Sequence, residues 1–260
     1  MNERDDAGRP DEGTPHRRTP CGPDRPGTNI ELMPHAAPVW MRRLVDGVTS
    51  GELHRRLPES SRSGGDHNRR AAVLMLFSGA ETSAELPNDA AILLTHRSPT
   101  MRSHSGQIAF PGGRVDPGDI NAVDCALREA WEETGLDRTS TTPLAQLEDV
   151  HIRASGYPVH PIVAHWHTRT PVGVVSPDEA DEVFDVPLMQ LIEPENRLTV
   201  GWKNWRGPAF TVDGYLVWGF TAGLLNAALH QAGWERDWDR DTVHNLHDTL
   251  SRSRNNERLL

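Results

Sequence analysis

Apolar and polar positions alternate along this chain with periods that change several times. From Val39 onward, Met41, Leu44, Val45, Val48 and Leu53 recur at helical spacing with Arg and Glu between them, which predicts an amphipathic helix. Residues 57–70 are polar throughout and read as a loop. Two apolar, partly β-branched runs follow, 71–79 and 90–97, and a polar turn region separates them as in a pair of core strands. GQIAFPGG (106–113) predicts a short strand ended by Pro-Gly-Gly. Residues 120–134 are helical by pattern, with Gly135 where a helix stops. Strand-like runs at 145–152 and 157–166 come next. An acidic loop, SPDEADEV (176–183), leads into an apolar run ending at Ile192. LTVGWKNW and FTVDGYLVW alternate like the two arms of a hairpin, and 219–231 reads as a closing helix. Strands interleaved with two or three helices predict an α/β (α+β) fold, a mixed sheet sandwiched between helices.

Composition sets the ends apart from this middle. The first 29 residues hold five Pro, four Gly, five Arg and six acidic residues but no Val, Ile, Leu or aromatic. Such a segment cannot bury enough surface to offset its ordering entropy. We therefore expect a disordered polar tail over 1–36, a folded domain over 37–234 and a frayed polar tail over 235–260. The 27 basic and 37 acidic residues give a net charge of −10, which argues against a nucleic-acid partner. Two cysteines, Cys21 and Cys125, make no disulfide framework and point to a reducing, cytoplasmic compartment. No run is long enough for a membrane helix, and the N-terminal residues lack the apolar stretch of a signal peptide.

The chemistry is concentrated in LREAWEETGL (127–136). Glu129, Glu132 and Glu133 stand at i, i+3 and i+4, on one helical face, where like charges repel by a few tenths of a kcal/mol per pair. A hard divalent cation with oxygen ligands would offset that repulsion. A solvated acidic face is the plainer alternative. Upstream, FPGGRVDPGD brings a glycine pair, Gly112 and Gly113, whose backbone can approach a metal or phosphate closely. Arg128 is placed to join loop to helix by pairing with a loop carboxylate such as Asp119. Cys125 and Trp131 in the same helix read as packing residues.

Residues 113–136 resemble the Nudix box: G, five residues, E, seven residues, then R-E-U-x-E-E-x-G-U with U apolar. Arg128 to Leu136 matches throughout. Asp119 stands in place of the usual first Glu, and eight residues rather than seven precede Arg128. LLTHRSPTMRSHSGQIAFPGG (93–113) is similar to the signature of the coenzyme A pyrophosphatase branch of that family, filling every fixed position from Leu93 to Gly113. The resemblance extends over roughly 70–230. It implies hydrolysis of the diphosphate linkage of CoA or acyl-CoA, giving 3′,5′-ADP and (acyl-)4′-phosphopantetheine, with Mg²⁺ or Mn²⁺. Glu129, Glu132 and Glu133 would be metal ligands together with the main-chain carbonyl of Gly112. A general base from outside the box is expected among Asp178, Glu179, Asp181 and Glu182. Glu182 is our choice, because the E-V-F-x-V-P-L pattern places it next to the folded run; Glu129 could itself orient the water. Arg97 and Arg102 would hold phosphates through bidentate hydrogen bonds, or else pair with surface acids, and His104 and Gln107 would line the same pocket. The resemblance also implies a possible homodimer. NADH, ADP-ribose or a nucleoside triphosphate remain alternative substrates, and a catalytically silent nucleotide sensor is the alternative outside the enzymes.

Overall fold

A computed structural model of the chain describes residues 24–58, 61, 70–151 and 157–257. The expected N-terminal helix is two: α1 (Arg42–Thr49) and α2 (Glu52–Arg56), broken at Gly51, which takes a left-handed φ of 70°. Most of the predicted 57–70 loop lies outside the described residues. The larger sheet is built from β1 (Ala71–Ser78), β2 (Ala91–Arg97), β3 (Ile108–Ala109), β4 (Gly112–Arg114), β5 (Thr142–Gln146), β6 (Val150–His151), β7 (Pro158–His165) and β8 (Ala180–Pro187). Its central pair, β1 and β7, is parallel from Ala71↔Val159 to Phe77↔His165, while β2 pairs antiparallel with β1 and β8. The sheet is therefore mixed.

Strand alternation in β1 sends its side chains to two different cores. Met75 and Phe77 join a cluster with Trp40, Met41, Leu44 and Val48 on one face. That face also takes helix α5 (Gly219–Ala232). Leu74 and Leu76 meet Val123, Ala126, Leu127 and Ala130 of helix α3 (Ala122–Thr134) on the other. The sheet sandwiched between helices is thus realised, with α3, the box helix, the only helix on its face among the described residues.

Three expectations change. The acidic loop 176–183 is half strand, because β8 starts at Ala180 and continues until helix α4 (Leu188–Ile192). The presumed two-armed hairpin is a three-stranded meander. β9 (Arg197–Trp202) pairs with β10 (Trp205–Val212), and β10 turns again at Asp213-Gly214 into β11 (Tyr215–Val217). Asp213 and Gly214 both have positive φ, as a two-residue hairpin turn requires, so FTVDGYLVW holds a turn and not one arm. The meander is a separate four-stranded sheet completed by β12 (Val243–Asn245), which lies parallel to β9.

That last strand corrects the frayed C-terminal tail. Its few apolar residues are well placed: Leu246 and Leu250 of helix α6 (Leu246–Leu250) are buried with Val200, Ala209 and Leu216. Arg197, nearly fully buried, pairs with Glu235 at 2.8 Å and lies 4.5 Å from the Trp238 ring centroid, stapling the segment to β9. Within the expected N-terminal tail, Asp24 and Met33 are likewise fastened to the domain. Asp24 holds Arg138 through two bonds of 2.6 and 2.7 Å, and the Met33 amide donates to the Pro143 carbonyl; residues 1–23 of the predicted tail lie outside the described residues. Among the described residues no helix is long and apolar enough to cross a membrane.

Arg138 also donates to Asp124 at 2.6 Å, and both side chains are almost completely buried. Burial pushes the Asp124 carboxyl up, but Arg138 and the backbone N–H groups of Gly27 and Ile120 overcome it and hold the group below its ordinary 3.8. Its contribution to stability is full above pH 3.8 and is lost as pH falls through the lower folded value. Arg138→Met is expected to destabilise the protein by about 3–5 kcal/mol, because it strands a buried carboxylate. Urea unfolding at pH 7 checks this, and a loss under about 1 kcal/mol would mean that the backbone donors suffice.

Candidate active site

Helix α3 starts at Asn121, whose side chain accepts from the Asp124 amide at 2.9 Å, and stops at Gly135 with φ 74°. Between these caps Glu129, Glu132 and Glu133 line up along the edge facing β4. Their environments differ: Glu133 is 4% exposed, and the Glu129 and Glu132 side chains are 14% and 41% exposed. β4 comes close because it is glycine. Gly112 has φ 155°, and a Cβ there would sit 2.3 Å from the Ala72 carbonyl oxygen. A Cβ on Gly113 would sit 2.5 Å from the Glu129 carboxyl. The Gly112 amide donates to Glu133 Oε2 at 3.3 Å.

Arg128 joins loop to helix as expected. Its guanidinium grips Asp119 with two bonds of 2.8 and 3.0 Å, donates to the Arg114 carbonyl, and reaches Glu132 Oε2 and Glu129 Oε1, both at 3.0 Å. Asp119, in place of the usual Glu, is therefore a buried anchor for this clamp; its side chain is 3% exposed. Burial pushes the Asp119 carboxyl up, and Arg128 more than reverses that. Cys125 beside it is fully buried, and that burial raises its thiol far above the ordinary value, in keeping with packing rather than nucleophilic chemistry.

The three box glutamates have the opposite imbalance. Burial, then the neighbouring carboxylates, pushes Glu129 up to about 7 against the pull of Arg128. Burial pushes Glu133 up to about 8, opposed chiefly by Arg97. Glu132 is raised as well, again by burial first. Burial thus disfavours the charged form of these carboxylates by more than their protein partners restore. Among the described residues no three His, Cys, Asp or Glu side chains converge as a ready-made metal cage. The carboxylates are turned instead toward Arg128 and the Gly112 amide. The donor chemistry nevertheless fits a hard divalent ion: oxygen ligands only, carboxylates pushed up by burial, and a glycine strand that lets the Glu129 carboxyl lie against its backbone.

Of the substrate candidates, Arg97 is brought to the cluster. It ends β2 at a register shift, its charge faces Glu133, and its buried Nε has no hydrogen-bond partner among the described residues. Arg102 and His104 are exposed on the loop that follows, and His104 Nδ1 lies 2.9 Å from Gln107 Oε1. These three residues stand apart from the glutamates' own contacts. Glu182, our choice for the outside acid, is occupied elsewhere: it accepts from the Tyr215 hydroxyl and faces Arg254 at 3.5 Å. Glu179, from the same acidic segment, adds to the upward push that burial gives Glu129, Glu132 and Glu133. It precedes β8, and the register Arg97↔Ala180 with the Ser98 amide bonded to the Glu179 carbonyl sets it at the same sheet end as Arg97. Only strand pairing, which no local pattern in SPDEADEV encodes, separates Glu179 from Glu182.

Comparison with known proteins gives the family. The NUDIX domain family matches residues 67–206. A Photorhabdus laumondii subsp. laumondii protein named Uncharacterized Nudix hydrolase NudL is 34% identical over 199 residues, covering 74% of this chain and 98% of that protein. The Escherichia coli K12 protein of the same name is 36% identical over 152 residues, 55% of this chain and 75% of that one. Among solved structures, a Nudix hydrolase from M. smegmatis, RenU, is similar with a TM-score of 0.38 and 25% identity, over 46% of this chain and 71% of that one. With the box helix, its arginine clamp and its glycine strand in place, the chain belongs to the Nudix hydrolase family.

Proposed function

We propose that this enzyme hydrolyses the diphosphate linkage of CoA or acyl-CoA to 3′,5′-ADP and (acyl-)4′-phosphopantetheine with Mg²⁺ or Mn²⁺. The observation that carries the hydrolytic reading is the box helix, which sets Glu129 and Glu133 against the glycine strand β4 while Arg128 ties Glu129 and Glu132 to Asp119. The choice of CoA rests on the filled signature from Leu93 to Gly113.

Glu129, Glu132, Glu133 and the Gly112 carbonyl would hold the metal. When bound, a divalent ion neutralises phosphate charge and makes a coordinated water more acidic. The chain's own residues supply position and proton transfer. Arg97, whose Nε has no hydrogen-bond partner among the described residues, would donate to a phosphate oxygen of the substrate. Arg128 holds loop and helix in one register through Asp119, so the carboxylates keep their spacing. In place of Glu182 we assign Glu179 as general base. Water oxygen bonds to phosphorus, the bridging P–O bond breaks with its electron pair leaving on the departing phosphate, and the water proton passes to the Glu179 carboxylate.

A product assay tests the reading. Purified protein with Mg²⁺ or Mn²⁺ is offered CoA, acetyl-CoA, dephospho-CoA, NADH, ADP-ribose and dGTP, and products are weighed by mass spectrometry. Release of 3′,5′-ADP from CoA, with dephospho-CoA much poorer, is the expected result, and chelation of the metal should stop it. Preferred cleavage of NADH, ADP-ribose or dGTP would overturn the CoA reading. Tight binding without turnover of anything would make the chain a nucleotide sensor.

A further inference from the structure

The C-terminal residues 254–257 lie outside the stretch that matches the family, yet they are fastened to the signature loop 98–107. Asn255 is completely buried. Its Oδ1 accepts from the Leu216 amide at 2.7 Å, and its Nδ2 donates to the carbonyls of Leu216 and Gly106, both at 3.0 Å. Its own carbonyl accepts from His96 Nε2 at 2.9 Å, next to Arg97 in β2. The contact requires glycine on the loop side. Gly106 has φ 74°, and a Cβ there would sit 2.3 Å from the Asn255 carbonyl oxygen.

Glu257 extends the strap to the loop's polar side chains. Its two carboxyl oxygens accept from Gln107 Nε2 at 2.7 Å and Trp218 Nε1 at 2.8 Å. A carboxylate only accepts, so it fixes which end of the Gln107 amide points inward. The outward end is then Oε1, 2.9 Å from His104 Nδ1. Oε1 cannot donate, so His104 must carry its proton on Nδ1. One carboxylate thereby orders Gln107 and selects the His104 tautomer that leaves Nε2, on an exposed loop, without a hydrogen-bond partner among the described residues.

We propose that residues 254–257 are a positioning strap of the substrate site, in which Asn255 and Glu257 hold loop 98–107 in its binding conformation and so set substrate affinity. The proposal rests on reading that loop as substrate-binding. A strap that only covered the small sheet's core would act through Leu246 and Leu250 and would not discriminate substrate binding from turnover.

The test compares Glu257→Ala, Glu257→Gln and Leu246→Ala in the full chain. KM for whichever nucleotide the product assay finds to be turned over should rise about tenfold in Glu257→Ala, the scale of one charge-assisted hydrogen bond. It should rise less in Glu257→Gln, which retains one acceptor, and kcat should stay within about twofold in both. Backbone amide exchange at Gly106 and Gln107 should quicken in Glu257→Ala without any ligand. Leu246→Ala should lower Tm and leave KM and that exchange unchanged. Unchanged KM and unchanged exchange in Glu257→Ala would overturn the proposal, as would equal changes in Leu246→Ala. If the unmodified protein turns over nothing, the enzymatic reading fails, while faster exchange in Glu257→Ala still supports the strap's hold on the loop.

Discussion

Glu132→Gln is expected to lower kcat by about a thousandfold or more while the protein stays folded. The substitution is close to isosteric and removes charge rather than packing. In the folded protein the Glu132 side chain is 41% exposed and its partner is Arg128, which retains its two bonds to Asp119. A partly exposed ion pair of this kind contributes about 0–1 kcal/mol, so Tm should hardly move. The loss should therefore appear as weaker activation by Mg²⁺ or Mn²⁺ and not as unfolding. Paired measurements of kcat over a metal titration and of thermal melting check both halves. Wild-type activity in Glu132→Gln would remove the metal from the box carboxylates altogether, since Glu132 is the most accessible of the three. A large fall in Tm would instead mean that Arg128 needs Glu132 to hold the loop.

The arrangement of the box residues is legible because it is written locally. Three glutamates at i, i+3 and i+4, an arginine one residue before them and a glycine pair upstream need only a helix and a close strand to meet, and both are formed. Arg128 and Asp119 pair as their spacing implies, and the sandwiched mixed sheet follows from the order of apolar runs. What was illegible depends on pairing between distant segments. Composition marked 235–260 as a frayed tail because Asp and Arg dominate it, but two leucines and a buried Arg197–Glu235 pair suffice to fold it against β9. The turn at Asp213-Gly214 was hidden inside an alternating run, where period-2 patterning masks a reversal. The strap at Asn255 and Glu257 leaves no trace in local sequence, since an Asn and a Glu near a polar terminus resemble solvated surface.

Glu179 is the sharpest case of this dependence, and its substitution carries the second large effect. Glu179→Gln is expected to lower kcat by about 10²–10⁴-fold, the range a positioned general base contributes. Glu182→Gln is expected to change kcat by less than about tenfold. Four carboxylates in SPDEADEV are equivalent by composition. The fold distinguishes them: Glu182 is committed to the Tyr215 hydroxyl and Arg254, whereas Glu179 is set at the sheet end of Arg97 by the bond from the Ser98 amide to its carbonyl. The metal requirement separates proton transfer from metal holding. Glu179→Gln should keep the wild-type dependence on Mg²⁺ or Mn²⁺, because it removes the proton acceptor and leaves the box carboxylates unchanged. A Glu179→Gln enzyme with the wild-type rate would assign proton uptake to another group, with Glu129 next in line. If Glu182→Gln were the inactive variant, the β2–β8 register that sets Glu179 beside Arg97 could not be the one present during turnover. The site would then have to form by a shift of β8, and the Tyr215 hydroxyl bond would be a resting contact that breaks when substrate binds.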